Sequence, residues 1–193
     1  MGGEFNKEAK MTVLDVVCSA IKILGDFEFY EYLIGDGYKQ DVYVNDEELL
    51  LIAYNQAIET AVNYCPLYYT ETFTPTNGSV NYKKFSYNPY KIIKITTTDS
   101  FQSVEILPTE IKTDGKITVE YVYVPTVLDF EEVFVYQHSP LSKIDVAYGV
   151  LSEYLIYKGR FEEASTFLDK FITALKNSSG IKKVGKVKQR TWF

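Results

Sequence analysis

Apolar positions recur at helical spacing in four stretches, and the segment between the second and third reads as β. The first helix is predicted to start at Thr12, with Asp15 three residues on as the partner of a capping box. Val13, Val17, Ala20 and Leu24 then share a face, and Gly25 suits the left-handed residue that ends a helix. The aromatic segment FEFYEYLIGDGYKQDVYV fits neither period and is expected to be loop with at most a short extended piece. A second helix is predicted with Asn45 as cap and Glu48 completing the box, running to Cys65 and stopped by Pro66. Its core stripe is Leu50, Tyr54, Ile58, Ala61 and Cys65. Glu48, Asn55, Glu59 and Asn63 mark the opposite, polar side.

From Tyr68 to Tyr136 the texture changes to Thr, Val, Ile and Tyr. Asn77-Gly78 and Asp114-Gly115 are the dipeptides that favour tight hairpin turns. Four or five strands of one small antiparallel sheet are expected here, inserted between helical halves. Ser139-Pro140 then reads as an N-cap followed by proline in the first helical position. Leu141, Ile144, Tyr148, Leu151 and Leu155 form one stripe, Gly159 breaks the chain, and Phe161, Ala164, Leu168, Phe171 and Leu175 form the next. So short a break implies an αα-hairpin. The predicted class is α+β: a helical core with a C-terminal αα-hairpin, an inserted antiparallel β-sheet at about 68–136, and an extended basic tail. Residues 1–11 read as an added or disordered leader, 12–180 as one domain and 181–193 as the tail.

Composition sharpens this picture at both ends. Hydrophobic residues make up 46% of the 193, enough for a core, and Tyr (17) outnumbers Phe (12) and Trp (1). Tyrosine covers apolar area while keeping a polar tip, which suits strands and surfaces that meet a partner alike. The net charge of −6 is uneven. Lys182, Lys183, Lys186, Lys188 and Arg190 fall in the last 13 residues with no acid among them, so residues 1–180 carry about −11. An acidic body with a basic tail argues against a DNA-coating surface on the body. It points to a tail that docks somewhere acidic, either on a partner or on another copy. Trp192-Phe193 at its end adds two large aromatics whose burial is favoured. The plainer reading is a tail that folds back on its own domain. Cys18 and Cys65 read as small buried hydrophobes in a reduced protein. No run of 18 apolar residues is present and the N-terminus lacks a signal-peptide pattern, so no membrane contact is expected.

Candidate chemistry is sparse. His138, the single histidine, has no second histidine with which to share a metal and reads as a loop residue beside the cap. Two groups of acids, Asp36, Asp41, Asp46, Glu47 and Glu48 and then Asp129, Glu131 and Glu132, could in principle supply an acid–base pair. They fall in loops and first helical turns, where carboxylates favour solvent and the helix dipole. GDGYKQD has the look of a loose calcium loop but lacks the alternating ligands and closing Glu of an EF-hand. No phosphate loop, dinucleotide fingerprint, nucleophile elbow or HExxH is present. No catalytic residue, metal or cofactor is assigned.

Four pieces in order carry a resemblance. They are the helix NDEELLLIAYNQAIETAVNYCPLY leading into a Tyr/Thr-rich sheet, GKITVEYVYVP, AYGVLSEYLIYKGRFEEASTFLDKFITAL, and the ending QRTWF. Together they make residues 12–193 resemble the tailed-phage head-to-tail adaptor (connector) proteins, including the tail tubular and neck-ring proteins of short-tailed phages. Residues 1–10 match nothing in that family. The resemblance implies a virion structural protein of the neck, soluble in the host cytoplasm before assembly. It further implies a homo-oligomeric ring, commonly of twelve copies, beneath the portal protein and above a tail or nozzle protein. DNA would pass through the channel without sequence-specific binding, and an acidic wall would let it slide. In that family a C-terminal segment inserts into the portal, which carries onto Lys182, Lys183, Lys186, Lys188, Arg190 and Trp192, with Phe193 added by position. The alternatives are another neck or tail-completion protein of the same fold, a nucleic-acid-binding module, and a small ligand-binding protein or enzyme using the aromatic loop 27–43.

Overall fold

A computed structural model describes residues 10–35, 41–98, 102–136 and 139–179. Among them the fold is mixed α+β, with five α-helices and six strands in two antiparallel three-stranded sheets. The chain divides into a helical unit, residues 1–65 and 127–193, and a β unit, Pro66–Thr126.

In the helical unit α1 spans Val13–Leu24, α2 Phe27–Leu33, α3 Val44–Val62, α4 Lys143–Tyr157 and α5 Phe161–Ser178. The capping box of α1 forms as its sequence predicts, with Thr12 and Asp15 exchanging bonds, and Gly25 closes the helix at φ 83°. Other expectations are corrected. The segment after Gly25 opens with a helix, because Asp26 caps it through the Phe29 N–H, and a 3-10 turn follows at Asp41–Tyr43. Phe29 is fully buried, with Tyr43 stacked on it at 4.8 Å. Asn45 does not cap α3. That helix begins two residues earlier than such a cap would set it, at Val44, with no side-chain cap, and ends at Val62, before Cys65. Ser139-Pro140 does not start α4 either; Ser142 does, through a capping box with Asp145.

Helix α4 is apolar over most of its circumference, which is the mark of a helix buried among others. Val146, Ala147, Gly149, Val150, Leu151, Tyr154 and Leu155 are all buried. Gly149 is where α5 comes closest: a Cβ there would lie 2.6 Å from the Phe171 ring. The stripe assigned to α5 is only partly a core stripe. Ala164, Phe171 and Leu175 are buried, whereas Phe161 and Leu168 are exposed, as is Ile144 on α4.

The chain returning from the β unit closes this core. Asn55, assigned to the polar side of α3, turns inward. Its side chain accepts from the Val127 N–H (2.8 Å) and donates to the Val127 carbonyl (2.9 Å). The next residues satisfy donors that α1 cannot satisfy alone: the Val13 and Leu14 N–H groups donate to the Glu132 and Phe130 carbonyls at 2.8 and 2.9 Å. Tyr136 donates to the Cys65 carbonyl at 2.8 Å.

In the β unit β1 spans Leu67–Phe73, β2 Ser79–Asn81, β3 Pro89–Thr97, β4 Val104–Ile106, β5 Glu110–Thr113 and β6 Ile117–Tyr123. The expectation of one sheet reaching Tyr136 is therefore corrected: six strands form two sheets, ordered β1-β6-β3 and β2-β5-β4, and the strands end at Tyr123. Asn77-Gly78 forms its tight turn, both residues having positive φ, closed by the Thr76–Ser79 bridge. Asp114-Gly115 joins β5 to β6, and, like Asn77-Gly78, it lies between strands of different sheets, so neither turn joins two strands of one sheet. Val80, Phe85, Ile111, Ile117, Val119 and Tyr121 make the core of this unit.

Two substitutions test these contacts. Asn55→Ala removes both bonds to a buried backbone and should cost about 1–3 kcal/mol of unfolding free energy. Gly149→Ala forces a methyl against the Phe171 ring and should cost about 1–3 kcal/mol as overpacking, although alanine is ordinarily the better helix former. Denaturant titration reads both, and a stabilised Gly149→Ala protein would contradict the close approach.

Candidate interaction surface

Of the acids singled out above, Asp46, Glu47, Asp129 and Glu132 are engaged in contacts within the chain. Asp46, in the first turn of α3, pairs with Lys158 at the end of α4 at 2.8 Å, a placement that suits both helix dipoles. Glu47 accepts from the Tyr32 hydroxyl at 3.0 Å, and Glu48 stands in the same helix. Glu132 accepts from the Leu128 N–H at 2.8 Å and more weakly from that of Asp129, and Asp129 accepts from the Glu131 N–H. These are loop-closing contacts rather than a convergent pair. Asp36, His138, most of GDGYKQD and the whole tail, with Lys182, Lys183, Lys186, Lys188, Arg190, Trp192 and Phe193, lie outside the described residues, as does the Asp41 side chain. Among the described residues no group of three His, Cys, Asp or Glu is placed to hold a metal ion, and no helix is long and apolar enough to cross a membrane.

Shifted ionisations follow burial. Burial pushes the Cys18 and Cys65 thiols up, so neither is an activated nucleophile. Burial also raises the Glu153 carboxyl. The Tyr54, Tyr121 and Tyr154 phenols are raised far above their ordinary value by burial first; Glu71 adds to the effect at Tyr121 and Asp46 at Tyr154. A raised phenol is a poor base at neutral pH, so these tyrosines serve packing.

The sequence did not single out the surface where the helical unit leaves apolar area open. Phe27 is 65% exposed and Phe161 67%. Phe27 and Arg160 line one cleft of about 490 Å³ with Leu24, Gly25, Asp26 and Glu28, and Phe161 follows Arg160 directly. Arg160 grips Glu163 through two bonds, at 2.7 and 2.6 Å, which lowers the Glu163 carboxyl. Phe27 is thus an open ring in a cleft with Asp26, Glu28 and Arg160, and Phe161 is a second open ring at the start of α5. Large exposed rings beside charge are the makeup of a contact surface. Nothing in the sequence pointed to this, since FEFYEYL read as part of an irregular loop and Phe161 as the start of a core stripe.

The β unit carries a second aromatic set. Tyr87 stacks on Tyr123 at 4.2 Å, and Tyr69 meets Tyr87 edge-on at 5.0 Å. Glu71 fixes the loop that carries Tyr87: it accepts from the Ser86 N–H at 3.0 Å, from the Ser86 hydroxyl at 3.1 Å and from the Tyr121 hydroxyl.

No protein-family model matches the chain, and no curated protein matches it by sequence.

The raised phenols predict an alkaline limit. A folded pKa above the unfolded value of 10 means stability is fully present below pH 10 and declines as pH rises beyond it. Each such phenol adds up to about 1.4 kcal/mol per pH unit to that decline. Unfolding titrations from pH 8 to 11 should show the fall, and Tyr54→Phe should make it shallower. An unchanged slope in Tyr54→Phe would show that Tyr54 ionises alike in both states.

Proposed function

We propose that this chain is a structural protein of a virion neck: a head-to-tail adaptor that joins a portal protein to a tail or nozzle protein. Copies of it form a ring, commonly of twelve in the proteins it resembles, and DNA passes through the ring without sequence-specific binding. In this reading α4 and α5 act as an αα-hairpin from which the basic segment extends to dock on the portal. Lys182, Lys183, Lys186, Lys188 and Arg190 supply the charge, and Trp192 and Phe193 the apolar anchors. No cofactor enters the reading, and it involves no membrane.

The observation that carries it is the open Phe27 ring beside Asp26, Glu28 and Arg160, with a second open ring at Phe161, since exposed aromatic rings beside charge suit a protein partner better than a small substrate. The resemblance of residues 12–193 to adaptor proteins supplies the particular partner. The acidic body and basic end supply the means of steering. A ligand-binding or enzymatic use of segment 27–43 is the alternative from another class. Against it, Phe29, Tyr32 and Tyr43 are taken up in packing on one another. Another neck or tail-completion role would use the same surfaces.

Deletion of residues 181–193 should abolish co-sedimentation with a purified portal protein and leave the melting temperature within a degree or two. Phe27→Ser with Phe161→Ser should weaken assembly without loss of fold. A truncated chain that binds portal as well as the full chain would overturn the role of the tail. One that unfolds would make the tail part of its own domain.

A further inference from the structure

Of the four sheet edges in the β unit, three carry features that discourage strand pairing. β2 and β4 are three residues long. β3 has two register shifts against β6 and exposes Lys91 and Lys94. Short strands, bulges and edge lysines are the usual guards against edge-to-edge association. The remaining edge, β1, has none of them. It pairs with β6 over seven residues without a break, from Leu67–Tyr123 to Phe73–Ile117. It holds no proline, lysine or arginine. Tyr68 is 56% exposed, and Thr70 and Thr72 are exposed on the same face. Among the described residues, no backbone group of β1 bonds to any backbone other than that of β6. Glu71, the one charge, could act as a guard, but its carboxylate is turned to Ser86 and Tyr121 of its own chain.

We infer that β1 pairs antiparallel with β1 of a second copy, extending two three-stranded sheets into one of six strands, β3-β6-β1-β1-β6-β3. The second copy is the occupant for three reasons. One open edge per chain closes under a two-fold axis and leaves nothing unpaired. The strand LYYTETF is self-complementary about Thr70: Leu67 opposes Phe73, Tyr68 opposes Thr72, Tyr69 opposes Glu71, and no like charges are opposed. The exposed Tyr68, Thr70 and Thr72 line up across the seam as β-forming residues of matching polarity. This goes beyond the adaptor reading. A ring between portal and tail holds every copy in one orientation, which a two-fold pair does not, so this pair is a form of the free chain before assembly, and ring contacts fall to other surfaces.

The test uses the full chain with Cys65→Ser. Thr70→Cys should place two thiols across the axis, where antiparallel Cα atoms stand about 4.5–5.5 Å apart, within disulfide reach. Mild oxidation should then convert most of the protein to a covalent dimer, while Thr96→Cys, exposed on β3, stays monomeric on a denaturing gel. Sedimentation of the unmodified chain should show a dimer that dissociates on dilution. Thr70→Lys, which sets lysine against lysine at the axis, should abolish it with an unchanged melting temperature. A chain that is monomeric at every concentration, or Thr70→Cys cross-linking no better than Thr96→Cys, overturns the inference. Neither result bears on portal binding, which the truncation experiment reads separately.

Discussion

The helical unit depends on the chain's return at Val127. Its helices come from two stretches of sequence separated by the β unit, and neither stretch buries its apolar faces alone. Asn55 takes both backbone groups of Val127, a residue only 3% exposed, so a buried peptide is satisfied by one side chain on α3. The following residues complete the first turn of α1 by supplying the Phe130 and Glu132 carbonyls. With those bonds made, α4 can lie against α1 and α3 and receive Phe171 over Gly149. Loss of Asn55 would leave two buried polar groups where the two halves of the unit meet, a larger penalty than the bonds themselves suggest.

Much of this was legible in the sequence, and the misses have physical reasons. The Thr12–Asp15 box, the Gly25 stop and the Asn77-Gly78 turn are local arrangements, decided by residues three apart or fewer, and they form as read. Asn45 fails as a cap because the 3-10 turn at Asp41–Tyr43 already delivers the chain in helical geometry, which makes a side-chain cap unnecessary. Asn55 looked solvent-facing because its partner is 72 residues away. The second sheet was invisible because turn dipeptides report a reversal of direction, not which strands pair afterwards; both Asn77-Gly78 and Asp114-Gly115 lie where the chain passes between sheets.

The candidate surfaces show the same limit. Acids grouped in sequence proved to be loop and helix-end contacts, since carboxylates near N–H donors close turns before they do anything else. Phe161 begins a stripe whose periodicity suggested burial and Phe27 lies in a segment read as loop, and only the three-dimensional arrangement leaves both rings open, Phe27 beside Arg160. An acidic body with open aromatic rings, together with a strongly basic C-terminal sequence, suits a part made to be joined to others. The proposed reading as a neck adaptor rests on these features and on the resemblance of residues 12–193 to such proteins.

Hydrogen exchange measured on the chain alone and after mixing with a purified portal protein tests this account most directly. It predicts new protection in the segments around Phe27 and Phe161 and in residues 181–193, with the α1, α3 and α4 cores unchanged. Exchange that is identical in every segment, with and without portal, would contradict it.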